Sequence, residues 1–152
     1  MKLRAVIQWV KNSFVIVNDE IVGEIGAGLN ILLGIGPEDD SGDIKWLVNK
    51  LCNLRIFSDK NGLMNSSITE VNGEFIVVSQ FTLHASYKKG NRPSFIKAAE
   101  PDLARELFNN FCNILSSESK LKVERGAFGV HMEVNIDNDG PVTIIIDTKN
   151  KE

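Results

Sequence analysis

Long apolar runs are missing from this sequence: nothing in its 152 residues approaches the roughly 20 needed to span a bilayer as a helix. No membrane association is expected. Met1-Lys2-Leu3-Arg4 leads straight into an alternating strand instead of a signal-peptide core, so the cytoplasm is the expected compartment. Cysteine is scarce, and Cys52 and Cys112 fall in two separate helical patterns with no short metal-ligand spacing. They read as free structural thiols, with no metal and no cofactor expected. Positive charge is not in excess either. Lys and Arg number 17 against 20 Asp and Glu, a net charge of −3 and a pI near 5.5, which excludes broad duplex binding through a global field. Any nucleic-acid contact must rest on a local basic patch. Aromatic residues make up only 7%, with no stacking platform of the RNA-recognition-motif type. The two histidines, His84 and His131, sit in unrelated contexts and Ser79 lacks a Gly-x-Ser-x-Gly elbow, which disfavours a Ser-His-Asp hydrolase. Gly34-Ile35-Gly36 is too short for a nucleotide fingerprint. No internal repeat and no linker are visible.

What is present describes one ordinary globular domain, residues 1–152, at 43% hydrophobic and 24% charged. Ala5–Val10, Ser13–Val17 and Glu20–Ile25 are β-rich runs separated by Lys11-Asn12 and Asn18-Asp19, which predicts a three-strand meander. Leu29–Ile35 is more continuously apolar, as in a strand covered on both faces, and Gly36-Pro37 stops it. Ile44, Leu47, Val48, Leu51 and Leu54 recur at helical spacing, with Asp39, Asp40 and Ser41 placed to cap the start. Arg55-Ile56-Phe57 leaves that helix as a short strand, before a turn at Ser58–Gly62. Phe75–Val78 is a buried strand running into Ser79-Gln80-Phe81-Thr82-Leu83. A second helix starts near Pro101, with Leu103, Leu107, Phe108, Phe111 and Leu115 on its core face, and ends over Ser116–Ser119. Lys120–Glu124 is an amphipathic strand. The expected fold class is α+β, with mostly antiparallel sheets forming a barrel-like core and two principal helices.

Two stretches carry chemistry or turns. Asn138-Asp139-Gly140-Pro141-Val142-Thr143 sits between the alternating Met132–Ile136 and the apolar Val142–Ile146, and Asp-Gly there predicts a hairpin. Pro141 would open the returning strand, where it has no ladder donor to lose. A Gly-Pro bond can also be cis, a constrained geometry that has a structural reason where it occurs. Between His84 and Pro93 lies a polar loop holding Lys88, Lys89 and Arg92, the densest basic cluster in the chain.

Ser79-Gln80-Phe81-Thr82-Leu83 and Asn138-Asp139-Gly140-Pro141-Val142-Thr143 together resemble the two signature motifs of the D-aminoacyl-tRNA deacylases. Arg4–Gln8, Leu54–Phe57, Lys89–Phe95 and Gly126–Gly129 resemble the family's other landmarks, in the family's order, so the likeness covers nearly the whole chain. It implies hydrolysis of the ester between a D-amino acid, or mischarged glycine, and the terminal ribose of tRNA. It implies a homodimer in which a Gly140-Pro141 cis peptide reaches into the other subunit's site and excludes L-side chains. Ser79, Gln80, Phe81 and Thr82 would form the opposing wall, with backbone N–H groups of Phe81 and Thr82 as the oxyanion hole and Thr82 positioning substrate. Thr82 as a nucleophile is the alternative, although no obvious base accompanies it. Met132 would line the adenosine pocket or fill the core, and Lys88, Lys89 and Arg92 would contact the tRNA or stay solvated. One departure stands out: Trp9 occupies a position where the family commonly has Arg. His131 is a second local oddity.

Overall fold

The structure, a computed structural model, describes residues 3–152, so the Met1-Lys2 part of the leader reading lies outside it. Of the two breaks the sequence suggests in the first β-rich region, only the one at Asn18-Asp19 is present. Strand β1 is Arg4–Val17, β2 is Glu20–Ile25 and β3 is Gly28–Gly34. Lys11-Asn12 is therefore not a turn but an irregularity inside β1. Neither residue brings the positive φ that a tight turn requires. Asn18 and Asp19 do, at φ 50° and 65°, and the chain reverses there. β2 and β3 then run antiparallel to β1 in one register, from Ser13 opposite Ile25 to Arg4 opposite Gly34.

The predicted Asp-Gly hairpin is overturned. Glu133–Asp147 is a single strand, β8, antiparallel to β1 from Arg4 opposite Asp147 to Ile16 opposite Glu133. Residues that suit a turn also suit a bulge, and the long free edge of β1 rewards continuing over reversing. Between Gln8–Thr143 and Val10–Asn138, β1 advances two residues while β8 advances five, so Asp139-Gly140-Pro141 is extruded from the ladder.

Helix α1 (Ser41–Asn53) links β3 to β6 (Glu74–Ser79), passing through the small hairpin β4 (Phe57–Ser58) and β5 (Met64–Ser66). Helix α2 (Pro101–Ser119) links β6 to β7 (Val123–Arg125). Both links are crossovers, and so β3–β6 and β6–β7 are parallel pairs within an otherwise antiparallel sheet. Asp40 caps α1 through the N–H groups of Gly42 and Asp43, while Pro101 stands in the first turn of α2.

Alternation sorts the side chains into two cores. Ala5, Ile7, Leu29, Ile31, Leu33, Phe75 and Val77 face the helices and pack on Leu47, Leu51, Phe108 and Phe111. The intervening Ile76 and Val78 face the other way and join Val10, Val15 and Ile25. That second core exists because the sheet curls on itself: a Cβ on Gly23 of β2 would lie 2.9 Å from the Arg125 carbonyl of β7. The result is a nearly closed, barrel-like sheet with two helices on one side. Cys52 and Cys112 are free and buried, and burial pushes the Cys112 thiol up to about 11, so neither is a poised nucleophile. No helix among the described residues is long and apolar enough to cross a membrane.

The C-terminal end is latched by charge. Lys149 donates to both carboxylate oxygens of Asp43 at 2.8 and 2.9 Å. Burial opposes ionisation of Asp43, but this ammonium together with the Asp40 N–H and Thr148 outweighs it and holds the carboxyl below its ordinary value. Asp39, beside it, is pushed up to about 6, chiefly by burial, although its Oδ2 accepts the Gly36 N–H at 2.6 Å. Because the folded value exceeds the unfolded one, the folded state binds the extra proton and Asp39 costs stability as pH rises from about 4 through 6. Asp39→Asn is therefore expected to stabilise the protein by about 1–2 kcal/mol at pH 7, with solvent screening discounted, and to leave it nearly unchanged at pH 4. Urea midpoints at the two pH values check this.

Candidate active site

Ser79 ends β6 opposite Leu33 of β3, and the Gln80 N–H continues the pattern by donating to the Leu33 carbonyl at 2.8 Å. The strand then stops. Phe81–His84 is a 3₁₀ turn, a conformation the sequence did not specify, and the Leu83 N–H closes it on the Gln80 carbonyl at 3.2 Å. A helical turn leaves its first N–H groups unpaired. Here those belong to Phe81 and Thr82, and no acceptor within the described chain takes either. Both residues are exposed. Two adjacent main-chain donors are thus held on a short turn whose ends are fixed by hydrogen bonds.

The turn is braced from below and behind. Gly34 lies under it so closely that a Cβ would stand 3.0 Å from the Gln80 carbonyl oxygen and 3.1 Å from His84 Cε1. His84 is itself buried beneath the turn. Arg4 donates from Nη1 to the Leu83 carbonyl at 2.8 Å and pairs with Asp147 of β8 at 3.2 Å. Gly34 and Arg4 brace the turn from across strands, which no local stretch of sequence discloses. Gln80 Nε2 donates to Thr82 Oγ1, fixing the threonine side chain with a neutral amide instead of a base.

Beside the turn opens a cavity of about 400 Å³, walled by Ser79, Gln80, Phe81, Phe95 and Phe128 and floored by Ala104 of α2. Its lining is mostly apolar with a few polar groups on one side, the usual make-up of a small-molecule pocket. Phe81 meets Phe95 edge-on at 5.1 Å, and the Arg105 guanidinium lies 4.9 Å from the Phe128 ring centre. Met132 is outside this wall. It packs half-buried against the second core, its Sδ so near Gly126 that a Cβ there would lie 2.8 Å away. Lys88, Lys89 and Arg92 are exposed on the adjoining loop, and His131 is exposed well outside the turn's framework. No group of three or more His, Cys, Asp or Glu among the described residues could hold a metal ion.

Gly140-Pro141 lies elsewhere. The peptide is cis, and Gly140 has φ +122°. Asn138 ties the bulge shut, its Oδ1 accepting the Val142 N–H at 3.4 Å and its Nδ2 donating to Thr143 Oγ1 at 3.1 Å. Trp9 fills the space beneath: its Cε3 would be 3.8 Å from a Gly140 Cβ, and its ring packs on Phe57 at 5.2 Å. Arg4 does not substitute there, being committed to Leu83 and Asp147. Three strand spacings and about four residues of rise separate this bulge from the Ser79–Thr82 turn, on the order of 20 Å. Within one chain the two motifs do not meet.

The sequence profile described as D-Tyr-tRNA(Tyr) deacylase matches residues 6–147. A protein of Flavobacterium psychrophilum named D-aminoacyl-tRNA deacylase is 53% identical over 150 residues, covering 99% of this chain and 100% of that one. One of the same name from Thermosipho africanus is 51% identical over 147 residues, covering 97% and 98%. Among solved structures, one called c-Myc DNA Unwinding Element Binding Protein superposes with a TM-score of 0.88 at 38% identity, covering 94% of this chain and 97% of that one. Another, described as a probable eukaryotic D-amino acid tRNA deacylase, shares the fold with a TM-score of 0.84 at 19% identity, over 97% and 100%.

Proposed function

Because the chain belongs to the D-Tyr-tRNA(Tyr) deacylase family, we propose that it hydrolyses D-aminoacyl-tRNA, and glycyl-tRNA where glycine is mischarged, as a cytoplasmic homodimer serving translation quality control. The observation that carries this reading is the pair of unclaimed N–H groups of Phe81 and Thr82 at the rim of an apolar cavity. Water adds to the ester carbonyl, and the negative charge that grows on its oxygen is received by those two donors. The carbonyl–oxygen bond to the ribose then breaks, the ribose oxygen takes a proton, and free tRNA and the amino acid depart. Removal of one such donor costs about 2.7–4 kcal/mol in other hydrolases, so the pair is enough to control the rate. Ser79 and Gln80 orient the turn and the substrate. The terminal adenosine occupies the cavity against Phe128, leaving Met132 in its core role, and phosphates of the acceptor end meet Lys88, Lys89 and Arg92.

Selection is assigned to Gly140-Pro141 of a second subunit. The bulge projects from its own ladder and lies far from its own Ser79–Thr82 turn, which favours a role across a two-fold interface. Planar peptide groups braced by Asn138 and Trp9 would occupy the space an L-side chain needs, whereas a D-side chain points away and glycine has none. Such a filter acts at the α-carbon and accepts many D-side chains. With matched D- and L-aminoacyl-tRNA, D-substrate is expected to be cleaved at least about 10²-fold faster. A folded dimer that binds the tRNA terminus without D-selective turnover would defeat the reading.

Thr82 as a nucleophile makes a different forecast. Thr82→Ala keeps its backbone N–H and loses one hydrogen bond to Gln80, so activity is expected to fall by about tenfold at most. Loss of a nucleophile would cost on the order of 10⁴-fold or more, and an acyl-enzyme trapped on Thr82 would establish that role instead.

A further inference from the structure

The loop beside the turn carries one residue that neither the fold nor the deacylase chemistry uses. Ser86 and Ser94 close it with two reciprocal backbone hydrogen bonds of 2.8 Å, and its near end is tied to the active-site turn by the Ala85 N–H on the Thr82 carbonyl. Phe95, just past its far end, packs on Phe81. Both stems of the loop are thus anchored at the site. From Ala85 to Ala99 the chain carries Lys88, Lys89, Arg92 and Lys97 and no acidic residue. Taking these four from the 17 basic residues leaves 13 against 20 acidic, so this is a positive projection on an acidic protein. First in the loop stands Tyr87, the chain's single tyrosine, 78% exposed, with no hydrogen bond or ring contact among the described residues. Burial contributes almost nothing to holding it there.

Basic groups that track phosphates, combined with an exposed ring, are the recurring means of holding an unpaired nucleic-acid strand, because every base has a face to stack. A seven-residue loop reaches about 10 Å beyond its stem. That suits the nucleotides immediately before an adenosine seated in the cavity. We propose that the Ser86–Ser94 loop holds the single-stranded 3′ end of tRNA, with Tyr87 stacking on a base there. This rests on the deacylase reading for the identity of the strand, and on the loop's own charge and exposed ring for the fact of binding.

The test compares Tyr87→Ala and Tyr87→Phe on two substrates, D-aminoacyl-tRNA and the short D-aminoacyl-adenosine, which has no strand to hold. Tyr87→Ala is expected to raise KM for the tRNA ester about tenfold with little change in kcat, while Tyr87→Phe restores it. The short ester should show no such KM rise. An unchanged KM on tRNA, an equal loss on both esters, or dissociation of the dimer in Tyr87→Ala would overturn the proposal, the last by assigning the ring to a subunit contact. If the unmodified protein cleaves neither ester, the deacylase reading fails separately. Titration with an oligoribonucleotide ending in CCA then decides: weaker binding by Tyr87→Ala supports the strand-holding role, and equal binding removes it.

Discussion

Gly140→Ala is expected to lower kcat/KM for D-aminoacyl-tRNA by about 10²-fold or to erase the preference for D over L, while leaving the protein folded. The physical cause is local. At φ +122° an L-residue is strained, and a Cβ would stand 2.9 Å from Val142 Cγ2 and 3.1 Å from the Val142 nitrogen. The bulge must therefore re-form, and groups that contact a substrate within about 1 Å of tolerance lose their geometry. Stability should suffer less, by about 1–3 kcal/mol, because Gly140 and Pro141 are exposed and extruded from the ladder. Steady-state rates on both enantiomers, with a melting curve, separate the two effects. Unchanged rates and unchanged selectivity would count against the filter. Trp9→Ala should move activity in the same direction by withdrawing the ring beneath the bulge, and Trp9→Phe should recover part of it.

Gly28→Ala is expected to have the largest effect on stability of any glycine substitution, about 3–5 kcal/mol, comparable to deleting a large core side chain. A Cβ at Gly28 would fall 1.8 Å from the Glu74 carbonyl oxygen and 2.6 Å from its nitrogen. Those are backbone atoms of the parallel β3–β6 rung, and they cannot swing aside. For a chain of this size the melting temperature should drop by roughly 10 °C or more. Gly26→Ala is the control: its nearest neighbour, the Glu74 carboxylate, is 3.5 Å away and flexible, so the change should be small. Equal melting temperatures for the two variants would show that β3 and β6 approach less closely than described.

Both helices were legible because their signals are local. The apolar spacing of Ile44, Leu47, Val48 and Leu51 and the cap at Asp40 act within a few turns, and so does Pro101 at the start of α2. Most β-rich runs were legible for the same reason, but β5 was not seen, and β1 and β8 were each read as two strands. Turn chemistry misled twice, at Lys11-Asn12 and at Asp139-Gly140, because residue types that suit a turn also suit a bulge, and only a strand lying alongside decides which forms. For the Ser79–Thr82 segment the sequence named the residues and their backbone donors, but not the 3₁₀ turn that carries them. Its donors are free because the strand ends at Ser79 and a 3₁₀ turn follows, which depends on Gly34 lying beneath and Arg4 holding the Leu83 carbonyl.

Composition, periodicity and two short motifs were thus sufficient for the α+β class, the helices, the buried thiols and the family. These follow from interactions between residues close in the chain, or from residue types alone. Pairing over more than a hundred residues, β1 with β8, turned an apparent hairpin into an extruded bulge and set it on the order of 20 Å from the turn it is proposed to serve. Register and closure are properties of which edges find each other, and no window of sequence contains both edges.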